Sequence, residues 1–373
     1  MNDLPVSIRL NPFKGPDGPD GAPVPWSPWG RILPDRPNFT LDPLFHAGCY
    51  YVQDSSAMFV GHLFRKYLPE LGFPRVLDLC AAPGGKTTDL AASLRERCGD
   101  AFELTANEVM VKRARILADN VDAWGDPCVK VTSLDPAVFG REMPGYFDVI
   151  VADVPCSGEG MFRKDPRAEA EWSPELVELC AARQKRILAD VWPALRDGGL
   201  LIYSTCTYED AENDANLRWA AETLGGKIIP PEDEFGAYGV RLTSCGSLLR
   251  AGEVPGEGQW AGALVKHSSC PTRPSSCPTR SGISAARDCR SQPAMTHPQP
   301  EMTHPQSEMT APRVEVTLEQ ALRYLHRDSF PLPEAPLGMI TVCYRGHPLG
   351  LAKNLGKRIN NLYPKNRRIL MDI

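Results

Sequence analysis

The chain has 373 residues, of which 36 are proline, close to 10% against a usual share of about 5%. It carries 12 cysteines, 42% hydrophobic residues and a formal net charge of −5. That length allows roughly two to three domains with a sizeable core, the hydrophobic content excludes a wholly disordered chain, and no apolar run approaches the roughly 18–20 residues of a membrane span. The N-terminal MNDLPVSIRL has neither the basic nor the apolar region of a secretory signal. A cytoplasmic protein with reduced cysteines is expected, in which a special cysteine is catalytic rather than bridged.

The charge is unevenly spread. Residues 1–266 hold 27 basic and 38 acidic residues, a net of −11; residues 267–312 are at +1 and residues 313–373 at +5. An acidic body is thus joined to a basic tail. The acidic body argues against bulk electrostatic binding of nucleic acid, whereas the tail can grip phosphates.

From Arg75 onward, strands and helices alternate. Arg75–Cys80 reads as a short buried strand, followed by a helix over 86–97. Further strands are predicted at Glu103–Asn107, Val129–Thr132, Phe147–Asp153, Leu200–Ser204 and Trp260–Lys266, with helices up to Ala118 and over 173–195, the latter opened by a Ser-Pro cap. This order predicts an α/β fold with a mostly parallel sheet covered on both faces. Ligands bind such sheets at the carboxyl ends of the strands.

The polar motifs sit at those ends. The first strand runs into Asp78-Leu-Cys-Ala-Ala-Pro-Gly-Gly-Lys-Thr87, whose paired glycines let a ligand approach the backbone at a helix N-terminus. A phosphate-binding GxxxxGK[ST] loop would need glycine where Cys80 stands. Glu108 follows the second strand, where an acid can take both ribose hydroxyls, and Asp135 follows the third. The fourth strand ends in Asp153-Val-Pro-Cys156-Ser-Gly-Glu-Gly160, and the fifth in Ser204-Thr-Cys206-Thr-Tyr208. Two cysteines therefore share one rim with the glycine turn. The others, such as Cys49, Cys128 and Cys343, read as small buried hydrophobes.

Past Lys266, tandem SSCPTRP/SSCPTRS and MTHPQPE/MTHPQSE repeats carry proline in every copy and no apolar a/d pair. A coiled coil is excluded, and a disordered linker over 267–312 is predicted.

DLCAAPGGKT, ANE, DVPCSGEG and STCT, in this order and spacing, resemble the Sun-type family of RNA (cytosine-5) methyltransferases. IRLNPFK, YVQDSSAM and GEGQWAGALVK are similar to its RsmF-like 16S ribosomal RNA branch, as are YRGHPLGLAK and NLYPKN in the tail. The resemblance implies a Rossmann-like, S-adenosylmethionine-dependent catalytic domain over 61–266. It implies an N-terminal RNA-binding segment over 1–60, shorter than the family's usual one through truncation or a misassigned start, and a small α+β RNA-binding domain over 313–373. It places Cys80, Ala81, Ala82, Pro83, Gly84, Gly85 and Lys86 around the methionine and ribose of the cofactor, Glu108 on the ribose hydroxyls and Asp135 on the adenine. Asp153 borders both cofactor and base, Cys206 is the nucleophile, and Cys156 assists product release.

The chemistry explains the residue types. A thiolate adding to carbon 6 turns carbon 5 of cytosine into a nucleophile. Asp153 can donate or share a proton at the ring nitrogen, and Lys86 is a candidate for lowering the Cys206 pKa. No metal is expected. Arg163, Lys164, Arg345, Lys353, Lys357, Arg358 and Lys365 are the expected RNA contacts, with Tyr344 and Tyr363 as stacking or core residues. The expected partner is 16S ribosomal RNA or the small subunit, bound by a monomer. The alternatives are transfer RNA as substrate, or a non-catalytic RNA-binding or assembly factor.

Overall fold

A computed structural model describes residues 5–15, 17–159, 170, 172–267, 311–371 and 373. Three sheets organise them. The first is formed by four short antiparallel strands, β1 (Ser7–Leu10), β2 (Ala22–Pro23), β3 (Gly30–Ile32) and β4 (Tyr50–Val52), in the order β2-β3-β1-β4.

The second sheet carries the site. Strands β5 (Arg75–Asp78), β6 (Glu103–Asn107), β7 (Val129–Thr132), β8 (Phe147–Asp153) and β9 (Leu195–Thr205) lie parallel in the order β7-β6-β5-β8-β9. Successive side chains of these strands reach opposite faces. Val76, Val149, Val151, Leu200 and Ile202 pack with Phe64, Leu90, Leu117 and Val121 on one side. Leu77, Ile150, Ala152, Leu201 and Tyr203 pack with Phe139, Leu188, Trp192 and Trp260 on the other. Burial on both faces is why these strands read as continuous apolar runs without polar alternation.

Beyond β9 the sheet turns antiparallel, through β10 (Gly226–Ile229), β11 (Arg241–Leu242), β12 (Gly246–Arg250) and β13 (Gly258–Lys266). Strand β13 pairs with β9, β12 and β10. Only the last of these strands is visible in the sequence, and its direction is not.

Element ends differ from expectation where packing or glycine geometry intervenes. The first strand stops at Asp78 rather than Cys80, and the helix after it spans Gly85–Cys98. The helix expected to end at Ala118 runs over Val111–Trp124, because Val121 and Trp124 still reach the core, and Gly125 at φ 84° stops it. The long helix spans Pro174–Val191, with Ser173 accepting from the Leu176 amide, and a turn over Trp192–Ala194 containing Pro193 closes it. Strand β9 starts five residues early, at Leu195, by passing through Gly198 at φ 70°.

The third sheet, β14 (Arg313–Glu315), β15 (Gly338–Tyr344), β16 (His347–Asn354) and β17 (Ile359–Asn361), lies in that order beside the helix Leu318–His326. Ile8, Phe39, Leu44, Cys49 and Tyr50 share one core with Tyr324, Leu325, Phe330, Ile340, Val342 and Tyr363. The two ends of the chain are thus packed together. Residues 268–310, and with them all of the tandem repeats and most of the expected linker 267–312, lie outside the described residues.

Candidate active site

The chain enters the large sheet at β5, moves outward to β7, then returns to β8 on the other side of β5. The crevice past the carboxyl ends of β5 and β8 is therefore the switch point at which such sheets bind ligands.

The turn after β5 fills one wall of that crevice. Gly84 takes φ 115° at the N-cap of the following helix, a left-handed conformation that glycine adopts without penalty. Thr87 Oγ1 donates to Asp78 Oδ2 at 2.6 Å, while Asp78 Oδ1 is buried with no hydrogen-bond partner among the described residues. Burial, opposed by the Thr87 hydrogen bond, pushes the Asp78 carboxyl up to about 7. An orphaned acceptor beside an open glycine turn suits a ligand that brings a cationic or N–H donor. Burial also raises the Cys80 thiol, which marks this cysteine as unreactive.

At the tip of β6, Glu108 is buried. Its Oε1 accepts the Met110 amide at 2.9 Å, and its Oε2 lies 3.1 Å from Arg113 Nη1. Arg113 Nη2 also donates to the Ala82 carbonyl at 2.9 Å, so the glycine turn and the β6 acid are tied together. Asp135 is exposed and caps the helix Pro136–Glu142, accepting the Ala137 amide through Oδ1.

At the tip of β8, Asp153 is the hub. Its Oδ2 accepts from Lys86 Nζ at 2.8 Å, and its Oδ1 accepts from Ser204 Oγ at 2.7 Å and Gln259 Nε2 at 3.1 Å. Three donors thus converge on one acceptor side chain. Burial works against the Lys86 ammonium, but the attraction and hydrogen bond of Asp153 carry its pKa up, so Lys86 stays charged.

Cys156 and Cys206 then meet, with 3.1 Å between the sulfurs. Their loops are stitched together by Ser157 Oγ and Thr207 Oγ1 at 3.0 Å and by Glu159 Oε2, which accepts from Thr207 Oγ1 and from the Tyr208 amide. The two thiols are not equivalent. The hydrogen bond from Cys156, helped by Lys86 and opposed by burial and Asp153, lowers the Cys206 pKa. The same hydrogen bond, burial and the Glu212 charge raise Cys156. The two shifts run in opposite directions, towards ionisation at Cys206 and away from it at Cys156.

Cys206, Cys156, Asp153, Lys86 and the turn 80–86 thus share one crevice, with Glu108 joined to it through Arg113. Arg163 and Lys164 lie outside the described residues. Arg345, Lys353, Lys357, Arg358 and Lys365 are all exposed on the C-terminal unit, and none forms an ion pair among the described residues. Tyr363 is buried in the shared core, 1% exposed, which leaves Tyr344 as the accessible ring. Sequence reasoning missed Ser204 and Gln259; the first hides inside a strand motif, and the second sits in a stretch quoted only as similarity. Among the described residues, no His, Cys, Asp and Glu side chains gather into a metal-holding group.

Three family models match the chain in order. They are the N-terminal domain of 16S rRNA methyltransferase RsmF over residues 1–55, 16S rRNA methyltransferase RsmB/F over 72–223, and the methyltransferase RsmF PUA domain over 311–369. A ribosomal RNA small subunit methyltransferase F from Escherichia coli is 36% identical over 287 residues, covering 72% of this chain and 58% of that protein. One from Shigella boydii is 36% identical over 288 residues with the same 72% and 58% coverage. The chain thus spans 58% of the length of these curated relatives. Among solved structures, a methyltransferase homolog protein from Pyrococcus horikoshii is similar at a TM-score of 0.59 and 26% identity, covering 71% of this chain and 87% of that one. NSun6 from the same organism, solved with SFG, is similar at a TM-score of 0.51 and 23% identity, covering 64% and 58%.

The fold is the Rossmann-like sheet of the S-adenosylmethionine-dependent methyltransferases, with a small N-terminal segment and a C-terminal PUA-like unit. Within that class, the chain belongs to the Sun-type RNA (cytosine-5) methyltransferase family, in its RsmF-like branch.

Proposed function

We propose that this protein methylates carbon 5 of a cytosine in 16S ribosomal RNA, as a monomer in the cytoplasm, through a covalent bond between Cys206 and the base. The observation that carries the reading is the Cys156–Cys206 sulfur pair at 3.1 Å beside the Lys86–Asp153 ion pair. Among the described residues no helix is long and apolar enough to cross a membrane.

Residues 80–86 hold the methionine and ribose part of S-adenosylmethionine, with the free oxygen of Asp78 available to its ammonium. Glu108 takes the ribose hydroxyls once Arg113, 47% exposed, swings aside, and Asp135 borders the adenine. Bound there, the cofactor supplies the electrophilic methyl group that carbon 5 takes. Cys206 adds to carbon 6 and makes carbon 5 nucleophilic. Lys86, held by Asp153, balances the negative charge that develops on the ring. Cys156 then assists loss of the carbon 5 proton, so that Cys206 can leave. The base must be unstacked to reach the crevice, which favours a loop or a flipped nucleotide.

The division into an N-terminal segment (1–60), a catalytic domain (61–266), a linker (267–312) and a basic unit (313–373) fits this scheme, with the two ends docking RNA as one module. Arg163 and Lys164 contact the RNA close to the target base. Arg327, Lys353 and Arg358 line one concavity of the basic unit. Replacing Arg345, Lys353, Lys357, Arg358 and Lys365 by glutamine should weaken RNA binding and flatten its dependence on salt, by about one unit of log–log slope per lost phosphate contact. Cofactor affinity should not change. Filter binding at several salt concentrations reads both, and unaltered RNA affinity would remove the tail from the docking surface.

The direct test is transfer of labelled methyl from S-adenosylmethionine to 16S RNA or 30S subunits, with 5-methylcytosine as the product. No incorporation into either substrate sinks the reading. Activity should also rise with pH as Cys206 loses its proton. Because its pKa is lowered, that rise should be centred below the roughly 8.5 of an ordinary thiol. A rise centred at or above the ordinary value would contradict the assignment of Cys206 as the thiolate.

A further inference from the structure

A buried carboxylate lies under Cys156. Glu212 is 0% exposed. Its Oε2 accepts the Ser157 amide at 3.1 Å and Gln184 Nε2 at 2.6 Å, and its Oε1 lies 3.3 Å from the same Ser157 amide. Gln184 Nε2 also donates to the Pro155 carbonyl at 3.0 Å. The residues on both sides of Cys156 are therefore fastened to the Glu212–Gln184 pair. Asn216 Nδ2 donates to Gln184 Oε1 at 2.7 Å, which fixes the amide with its nitrogen towards Glu212.

Among the described residues, the Glu212 side chain accepts from the N–H groups of Ser157 and Gln184, and such donors favour its anionic form. Burial raises its own pKa, and the Ser157 and Gln184 hydrogen bonds counter this. The anionic form places negative charge against the loop that carries Cys156. The other sulfur, Cys206, faces Lys86 from the helix Gly85–Cys98 and Asp153 from β8. Glu159 spans the two cysteine loops, and the Tyr203 hydroxyl from β9 closes the floor beside Gln184.

We propose that Glu212, oriented by Gln184, is a positioning residue that aims the Cys156 thiol at Cys206 and decides which of the two sulfurs keeps the proton. An anion next to Cys156 disfavours a second negative charge there, whereas the Lys86 ammonium favours one on Cys206. The order matters for catalysis, since the nucleophile must be a thiolate and its partner a proton carrier. That consequence rests on the methyltransferase reading above; the ordering of the thiols does not.

The test uses the whole protein and iodoacetamide, with alkylation of each cysteine followed across pH by peptide mass spectrometry. In the unaltered protein, Cys206 should react first and Cys156 only at higher pH. In Glu212→Gln, the Cys156 profile should move down by about one to two pH units, and the preference for Cys206 should shrink. If that variant does not fold, Glu212→Asp draws the charge back by one methylene and should give a smaller shift in the same direction. A folded variant in which Cys156 reacts no earlier overturns the proposal. With RNA and cofactor, Glu212→Gln should also retain more covalent adduct while binding cofactor normally. A protein that shows the thiol shift but never methylates RNA would fail the methyltransferase reading and leave the Glu212 inference standing.

Discussion

Cys206→Ala is expected to lose methyl transfer by on the order of 10⁴-fold or more, the scale at which enzymes lose activity when their nucleophile is removed. Cys156→Ala should behave differently, methylating once and then holding the RNA as a covalent adduct that survives a denaturing gel. Two thiols 3.1 Å apart might be thought interchangeable, and their surroundings say otherwise. The contact with Cys156 and the Lys86 ammonium both lower the Cys206 pKa. Cys156 faces the Glu212 carboxylate. Removing Cys206 leaves behind the sulfur whose ionisation is opposed, so its neighbour should not rescue the reaction. Both residues are partly exposed and stand outside the hydrophobic core clusters, so neither substitution opens a cavity in the core and the unfolding midpoints should barely move. Methylation by a folded Cys206→Ala protein would reverse the roles of the pair.

These two cysteines were legible because they stand at the ends of strands that announce themselves. VIVA in β8 and LLIY in β9 are apolar runs, since both faces of those strands are covered, and the residues after such runs lie on the rim. What supports the cysteines was not legible. Gln184 sits in the middle of a long helix, and Glu212 lies in a polar stretch, Tyr208-Glu-Asp-Ala-Glu-Asn-Asp214; both types are ordinarily solvent-facing. Only the folded chain brings them under Pro155 and Ser157. The antiparallel half of the sheet was hidden for another reason. Strands β11 and β12 are short and lie near an edge, where alternation is weak and turn residues dominate. The core shared by the chain's two ends joins residues more than three hundred positions apart, and no local pattern encodes such a contact.

The second large effect is expected at Asp89. Arg9 in β1 is 0% exposed and Asp89 is 1% exposed, so a charge that sequence alone would leave in solvent is fully enclosed. Arg9 Nε donates to Gln53 Oε1 at 2.8 Å, and its Nη2 donates to Thr88 Oγ1 at 2.5 Å and to the Gly85 carbonyl at 3.1 Å; the guanidinium lies 4.7 Å from the Trp124 ring. Asp89 Oδ1 accepts from Arg65 Nη1 at 2.9 Å, and its Oδ2 lies 3.9 Å from Arg9 Nε. Burial lowers the Arg9 pKa to about 10, with Asp89 opposing the shift. Asp89→Asn keeps the shape and removes the anion, which strands one buried guanidinium and leaves a second facing it. Removing one partner of a buried pair costs about 3–5 kcal/mol. The exposed pair Lys130–Glu103, 61% and 20% accessible, is the internal comparison, and Glu103→Gln should cost about 0–1 kcal/mol. Salt should erode the Glu103 effect and spare the Asp89 effect, because buried pairs are poorly screened. Urea unfolding of both variants at low and high salt separates the cases, and an Asp89→Asn cost no larger than that of Glu103→Gln would mean that water reaches Arg9. The same guanidinium holds Gly85 and Thr88 in the helix that opens at the glycine turn. Cofactor affinity should therefore fall in Asp89→Asn and not in Glu103→Gln, which ties the stability of the N-terminal sheet to the shape of the crevice.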